Sequence, residues 1–88
     1  MKQYKLTDHA KEEIARRQIP INMLEEVINM PYKITAESSN RKCYQSIFTF
    51  PSSKKYLIRA IIKENVGELV VITVYKTSKI GKYIQGEV

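Results

Sequence analysis

Apolar residues recur at helical spacing up to Pro31 and alternate after it. Leu6, Ala10 and Ile14 form the first helical stripe, which predicts a helix over about 7–17. Thr7 or Asp8 supplies its N-cap oxygen. Asp8, Glu12 and Glu13 lie toward the positive end of that helix, Arg16 and Arg17 toward the negative end. Glu12–Arg16 and Glu13–Arg17 are spaced i,i+4 in the favourable order, a contribution of roughly 0.2–0.5 kcal/mol each. Pro20 opens a second helix, expected over 21–30, at a position where its missing N–H costs nothing. Leu24, Val27 and Ile28 are its stripe, with Met23 and Met30 as flexible fillers. Pro31 ends it, because the residue before proline is pushed out of the helical region.

Beyond Pro31 the pattern is that of strands. Tyr32, Ile34 and Ala36 alternate with polar residues as a short strand, and Ser38-Ser39-Asn40 is a turn. Lys42 to Phe50 and Tyr56 to Lys63 are strands joined by Pro51-Ser52-Ser53-Lys54-Lys55, a hairpin loop with a basic tip. Asn65-Val66-Gly67 turns the chain into the last strand, Leu69 to Lys76. Short connections imply antiparallel pairing. The expected fold is therefore α+β, a single domain over 1–88. Two N-terminal helices pack on a small, three- to four-stranded, mainly antiparallel sheet.

Strict alternation puts Ile58, Ala60 and Ile62 on the core face, with Val70, Ile72 and Val74. Leu57, Arg59, Ile61 and Lys63 then share the opposite face with Leu69, Val71, Thr73 and Tyr75. That face is too apolar to stand bare, so the C-terminal segment, a partner or a ligand covers it. Ile80, Tyr83 and Ile84 suit a short helical turn across it, with Lys76, Lys79 and Lys82 around the rim. An arginine in a central strand is costly to bury unpaired. Arg59 should therefore sit in a solvated groove or meet a carboxylate such as Glu64 or Glu68.

Charge changes the picture. Residues 1–37 carry six Lys/Arg and six Asp/Glu, residues 38–88 nine and three, so the whole net charge of +6 lies in the second part. An anionic partner, nucleic acid or acidic protein, is expected there. Cys43 is the sole cysteine, so no intrachain disulfide forms, and with one His no usual zinc site does either. No cofactor is expected. The N-terminus lacks the apolar core of a signal peptide, and the longest apolar run, Leu69 to Tyr75, is far short of a membrane span. These features predict a cytoplasmic protein without membrane contact.

His9-Ala10, Arg17-Gln18-Ile19, Val27, Pro31 and the strand Val70-Val71-Ile72-Thr73-Val74-Tyr75 together resemble the domain of unknown function 4258 family, over about Leu6 to Tyr83. Gln18 stands where that family usually has glycine, and Pro20 where a capping Ser or Thr is common. The family is similar in layout to the RelE/ParE and BrnT toxins. The resemblance thus implies a RelE/ParE-like fold, a toxin of a toxin–antitoxin pair, an antitoxin with an acidic segment, and metal-independent mRNA cleavage. The catalytic candidates it implies are His9, Arg17, Arg59 and Tyr75, with Lys79 and Tyr83 as weaker ones.

RNA carries its own nucleophile, the 2′-hydroxyl, so such an enzyme needs a base, an acid and positive charge at the phosphorane. His9 suits base or acid, Arg59 or Arg17 a phosphate clamp, and Tyr75 or Tyr83 stacking or proton donation. Lys54, Lys55, Lys76, Lys79, Lys82 and Tyr83 are the expected nucleic-acid contacts. Arg17 and Arg59 share one site only if the end of the first helix reaches the sheet edge. The rival reading is a non-catalytic basic module that binds a protein or nucleic acid.

Overall fold

The computed structural model describes residues 3–84. It is α+β: a five-stranded mixed sheet with three short helices. Strand β1 (Tyr4–Leu6) leads into α1 (Asp8–Arg16) and α2 (Ile21–Asn29), followed by β2 (Lys33–Ser38), β3 (Arg41–Thr49), β4 (Lys55–Asn65), β5 (Glu68–Thr77) and α3 (Ile80–Tyr83). The sheet order is β1-β5-β4-β3-β2. The last four strands form an antiparallel meander, while β1 runs parallel to β5, pairing Tyr4 with Leu69 and Leu6 with Val71.

This corrects the expected fold of two N-terminal helices on a three- or four-stranded, RelE/ParE-like antiparallel sheet. The chain opens with a strand, and Leu6, whose spacing to Ala10 and Ile14 reads as helical, lies in it. The two patterns overlap because Leu6 faces the same core as the helix stripe. Thr7 holds the junction together. Its hydroxyl oxygen accepts from the Ala10 amide at 3.0 Å as N-cap and donates to the Ile72 carbonyl at 2.9 Å. Its own amide donates to the Val71 carbonyl at 3.1 Å.

Between α1 and α2 the chain makes a tight reversal. Gln18 adopts φ 53°, the Gln18 amide donates to the Ala15 carbonyl and the Ile19 amide to the Ile14 carbonyl. These are the two hydrogen bonds of a Schellman cap, whose left-handed residue favours glycine. Ile19, beyond the cap, is buried in the same cluster that Ile14 packs against.

One face of the sheet carries α1 and α2. Ala10, Leu24, Val27 and Ile28 share an apolar cluster with Ile58, Ala60, Ile62, Val71 and Val74. The pairing shifts between Ile61↔Thr73 and Ile62↔Val71, so Ile72 is an extra residue on β5. That bulge moves Leu69 and Val71 to the helix side. The alternation assigned to Val70, Ile72 and Val74 therefore fails ahead of Thr73. The carbonyl of the extra residue, Ile72, is the one that the Thr7 hydroxyl donates to.

The other, outer face is covered at one end by α3. Ile80 and Ile84 are buried against Leu57, with Ile47 and Tyr83 packed around them. The C-terminal segment is thus what covers this end of the face.

Candidate functional site

The pairing of β3, β4 and β5 sets Gln45, Arg59 and Tyr75 opposite one another in one row across the outer face. Arg59 is only 8% exposed. Its Nε donates to Gln45 Oε1 at 3.1 Å and its Nη1 donates to the Tyr75 hydroxyl. The Gln45 amide in turn donates to Thr35 Oγ1 at 3.3 Å. Glu37 approaches the guanidinium at 3.9 Å. Neither Glu64 nor Glu68 does: Glu64 pairs with Lys42 and Glu68 with Lys5. The carboxylate that faces Arg59 comes from the edge strand β2.

Tyr83 of α3 closes the site from above. Its ring lies 4.1 Å from the Arg59 guanidinium carbon and meets Tyr75 edge-on at 6.4 Å. A guanidinium over an aromatic face is held by the ring quadrupole, more strongly once water is excluded. Burial opposes the Arg59 charge, but Cys43, Tyr75 and Glu37 outweigh it, and its pKa lies above the ordinary arginine value.

The two phenols are pushed apart. Burial raises Tyr75, against the pull of Arg59. The hydrogen bond from Tyr75 lowers Tyr83, assisted by Lys82 and Arg59. The result is a relay, Arg59 to Tyr75 to Tyr83, that ends on a partly exposed phenol.

Arg17 joins from the helix side. It is the C-cap of α1, and its guanidinium carbon lies 5.9 Å from the Tyr75 ring centroid, with that of Arg59 at 5.6 Å. It reaches there because β1 pairs only with residues 69–71, which leaves the Tyr75 end of β5 as an edge that α1 overhangs. Glu13 holds Arg17 at 2.9 Å and Arg16 at 2.6 Å, so Arg16 turns to Glu13 rather than to Glu12. The hydrogen bonds from Arg16 and Arg17 lower the Glu13 carboxyl to about 2.

Of the expected catalytic set, Arg17, Arg59 and Tyr75 thus meet around one ring. His9 does not: it is exposed at the start of α1, about 12 Å along the helix axis from Arg17. Of the expected nucleic-acid contacts, Tyr83 is part of the cluster and Lys82 lies 5.3 Å from its ring. Lys79 is exposed at the start of α3. Lys76 pairs with Ile58 and points to the helix side, where its ammonium sits 4.6 Å from the Phe50 ring and 5.1 Å from Tyr56. Lys54 lies 5.6 Å from Tyr56 on the same hairpin, beside exposed Lys55. Lys76 and Lys54 form a second basic and aromatic patch, apart from Arg59, while Lys55, in register with Thr49, alternates to the outer face.

Gln45 and Glu37 were not singled out by sequence. A lone glutamine inside the apolar strand Lys42–Phe50, in register with an arginine, is the signal that locates the row. Cys43 is buried beside it, and burial pushes its thiol up to about 11. Among the described residues no three His, Cys, Asp or Glu side chains converge as a metal site, and no helix is long and apolar enough to cross a membrane.

The site therefore defines an α+β domain in which Arg59 of the outer sheet face and Arg17 of α1 meet at Tyr75, with Tyr83 over Arg59. The model of the family "Domain of unknown function (DUF4258)" matches residues 6–76, and the chain belongs to that family. The match stops short of Tyr83, so α3, which closes the site, lies beyond it. No curated protein and no solved structure matches the chain at a significant level.

Proposed function

We propose that this protein is the toxin-like component of a toxin–antitoxin pair and cleaves mRNA without a metal. The single observation that carries this reading is the placement of Arg17 and Arg59 at 5.9 and 5.6 Å from the Tyr75 ring centroid, with the partly exposed Tyr83 over Arg59. The activity is the one the family resemblance implies, although the five-stranded mixed sheet departs from the RelE/ParE-like layout. In this reading the guanidiniums hold the non-bridging oxygens of the scissile phosphate and stabilise the phosphorane charge. Tyr83 stacks a base and, as the phenolate, accepts the 2′-hydroxyl proton as O2′ bonds to phosphorus; the P–O5′ bond breaks and the departing O5′ takes a proton from solvent water. The lowered pKa of Tyr83 favours that role.

The charge of the second part of the chain suits both RNA and an antitoxin with an acidic segment, and the lone buried thiol suits the cytoplasm. One observation favours a second reading, a non-catalytic basic module: His9, the side chain best suited to proton transfer at neutral pH, stands away from the arginines.

Incubating the purified protein with RNA, with and without chelator, separates the two. Chelator-resistant cleavage that is lost in Tyr83→Phe and Arg59→Lys supports the enzyme. RNA or antitoxin binding without cleavage by the wild type supports the module. Growth arrest on induced expression, followed by RNA profiling, gives the same answer in cells.

A further inference from the structure

At the end of the sheet far from α3, the β2–β3 and β4–β5 turns flank a groove of about 510 Å³ lined by Ser38, Asn40, Arg41 and Lys63, and by the Lys42–Glu64 ion pair, among others. Arg41 and Lys63 are directly opposed in the β3–β4 register. Like charges in that position destabilise a sheet unless something lies between them. Both are exposed, and among the described residues neither forms an ion pair. Glu64, the nearest acid in sequence, turns to Lys42 at 3.0 Å and to the Tyr44 hydroxyl, both belonging to the helix side of the sheet.

The register also fixes where this pair stands. Arg41↔Lys63, Cys43↔Ile61 and Gln45↔Arg59 are alternate pairs of the same two strands, so all three rows face outward. Lys63 and Arg59 are four residues apart on β4, about 13 Å. One phosphate cannot bridge that distance. The row between them is Cys43, Ile61 and Thr73, of which Thr73 alone is polar and partly exposed.

We propose that the Arg41–Lys63 groove is a second phosphate-binding site, which takes the backbone of the same single-stranded RNA a few nucleotides from the Arg59 cluster. The inference rests on the reading of that cluster as an RNA site. Single-stranded RNA is the occupant that fits, because stacking on Tyr83 needs an unstacked base and two cationic points about 13 Å apart on one strand suit a flexible phosphate backbone. The β-face is then a two-point reader, with Arg59 and Tyr83 at one end and Arg41 and Lys63 at the other.

The test is fluorescence anisotropy with the full chain, using a short RNA of about three nucleotides and a long one of about ten, across a salt series. The double variant Arg41→Ala/Lys63→Ala alters only exposed side chains, and circular dichroism checks its fold. It should weaken the long RNA about tenfold, lower the salt slope by about 1.4, and leave the short RNA unchanged. Equal binding of the long RNA by wild type and double variant overturns the second site, while loss of binding in Arg59→Lys keeps the first. If the wild type binds neither RNA, both the second site and the reading beneath it fall.

Discussion

On the helix side of the sheet, Ile58, Ala60 and Ile62 of β4 share one apolar cluster with Leu24, Val27 and Ile28. On the outer side, the residues that alternate with them meet unlike neighbours. Leu57 lies under α3, Arg59 lies among Gln45, Tyr75 and Tyr83, and Lys63 borders a polar groove. The same strand thus serves a face held by apolar burial and a face held by directional contacts. Burial is indifferent to orientation, so the helix side supplies stability. Hydrogen bonds and cation–ring contacts depend on angle and register, so the outer side supplies a defined arrangement of charge.

The comparison breaks most sharply at Leu24. Leu24→Ala removes a fully buried side chain of the helix side and should cost about 2–5 kcal/mol, read from the midpoint of urea unfolding. Cys43 reports the same event from the other face. Its thiol, held near 11 by burial, should resist alkylation near pH 8 in the folded wild type and label faster in Leu24→Ala. Rapid labelling of the folded wild type would mean that the outer face opens independently of the helix side.

A smaller effect is expected at Tyr83. Tyr83→Ala uncovers the Arg59 guanidinium and should cost about 1–2 kcal/mol, while Tyr83→Phe keeps the ring and should cost less. Equal losses in the two variants would place the contribution in the hydroxyl relay rather than in the ring.

Gln18→Gly relieves the left-handed backbone at φ 53° but loosens the unfolded chain. A net gain of under about 1 kcal/mol is expected from thermal unfolding. A loss would show that the Gln18 side chain contributes more than its backbone costs.

The smallest effect is at Glu13. Its folded pKa of about 2 lies below the ordinary carboxylate value of 4.5, so its contribution is present above pH 4.5 and fades as pH falls toward 2. Glu13→Gln should flatten that part of the acid-unfolding profile, and salt should shrink the difference because its partner Arg16 stands in solvent. It should also release Arg17, and weaker RNA binding in this variant would tie Arg17 to the site.

The helices and the meander were legible because their apolar periods differ, 3.6 residues against 2, and Pro31 marks the change. β1 was not. Three residues are too few to show a period, and Leu6 fits the helical stripe while lying in a strand. The bulge at Ile72 was equally hidden, since Leu69 to Ile72 is apolar on both faces and offers no polar residue to mark the slip. At the site, Arg59 and Tyr75 were legible as an arginine and a tyrosine on one face of neighbouring strands. Gln45 and Glu37 required the register. His9 was drawn in by its place in a motif, and that place is the far end of α1.

The parallel pairing of β1 with β5 has a consequence for how the chain is made. The meander joins neighbours in sequence, but Tyr4 must wait for Leu69. A nascent chain emerges N-terminus first, so β1 and α1 leave the ribosome before the strand that holds them exists. Such non-local closure is slow relative to hairpin formation. Arg17 rides on α1, and Tyr83 follows β5. The arginine–tyrosine cluster is therefore assembled only after Tyr83 has been made, and a truncated chain ending before Glu68 lacks both of its tyrosines.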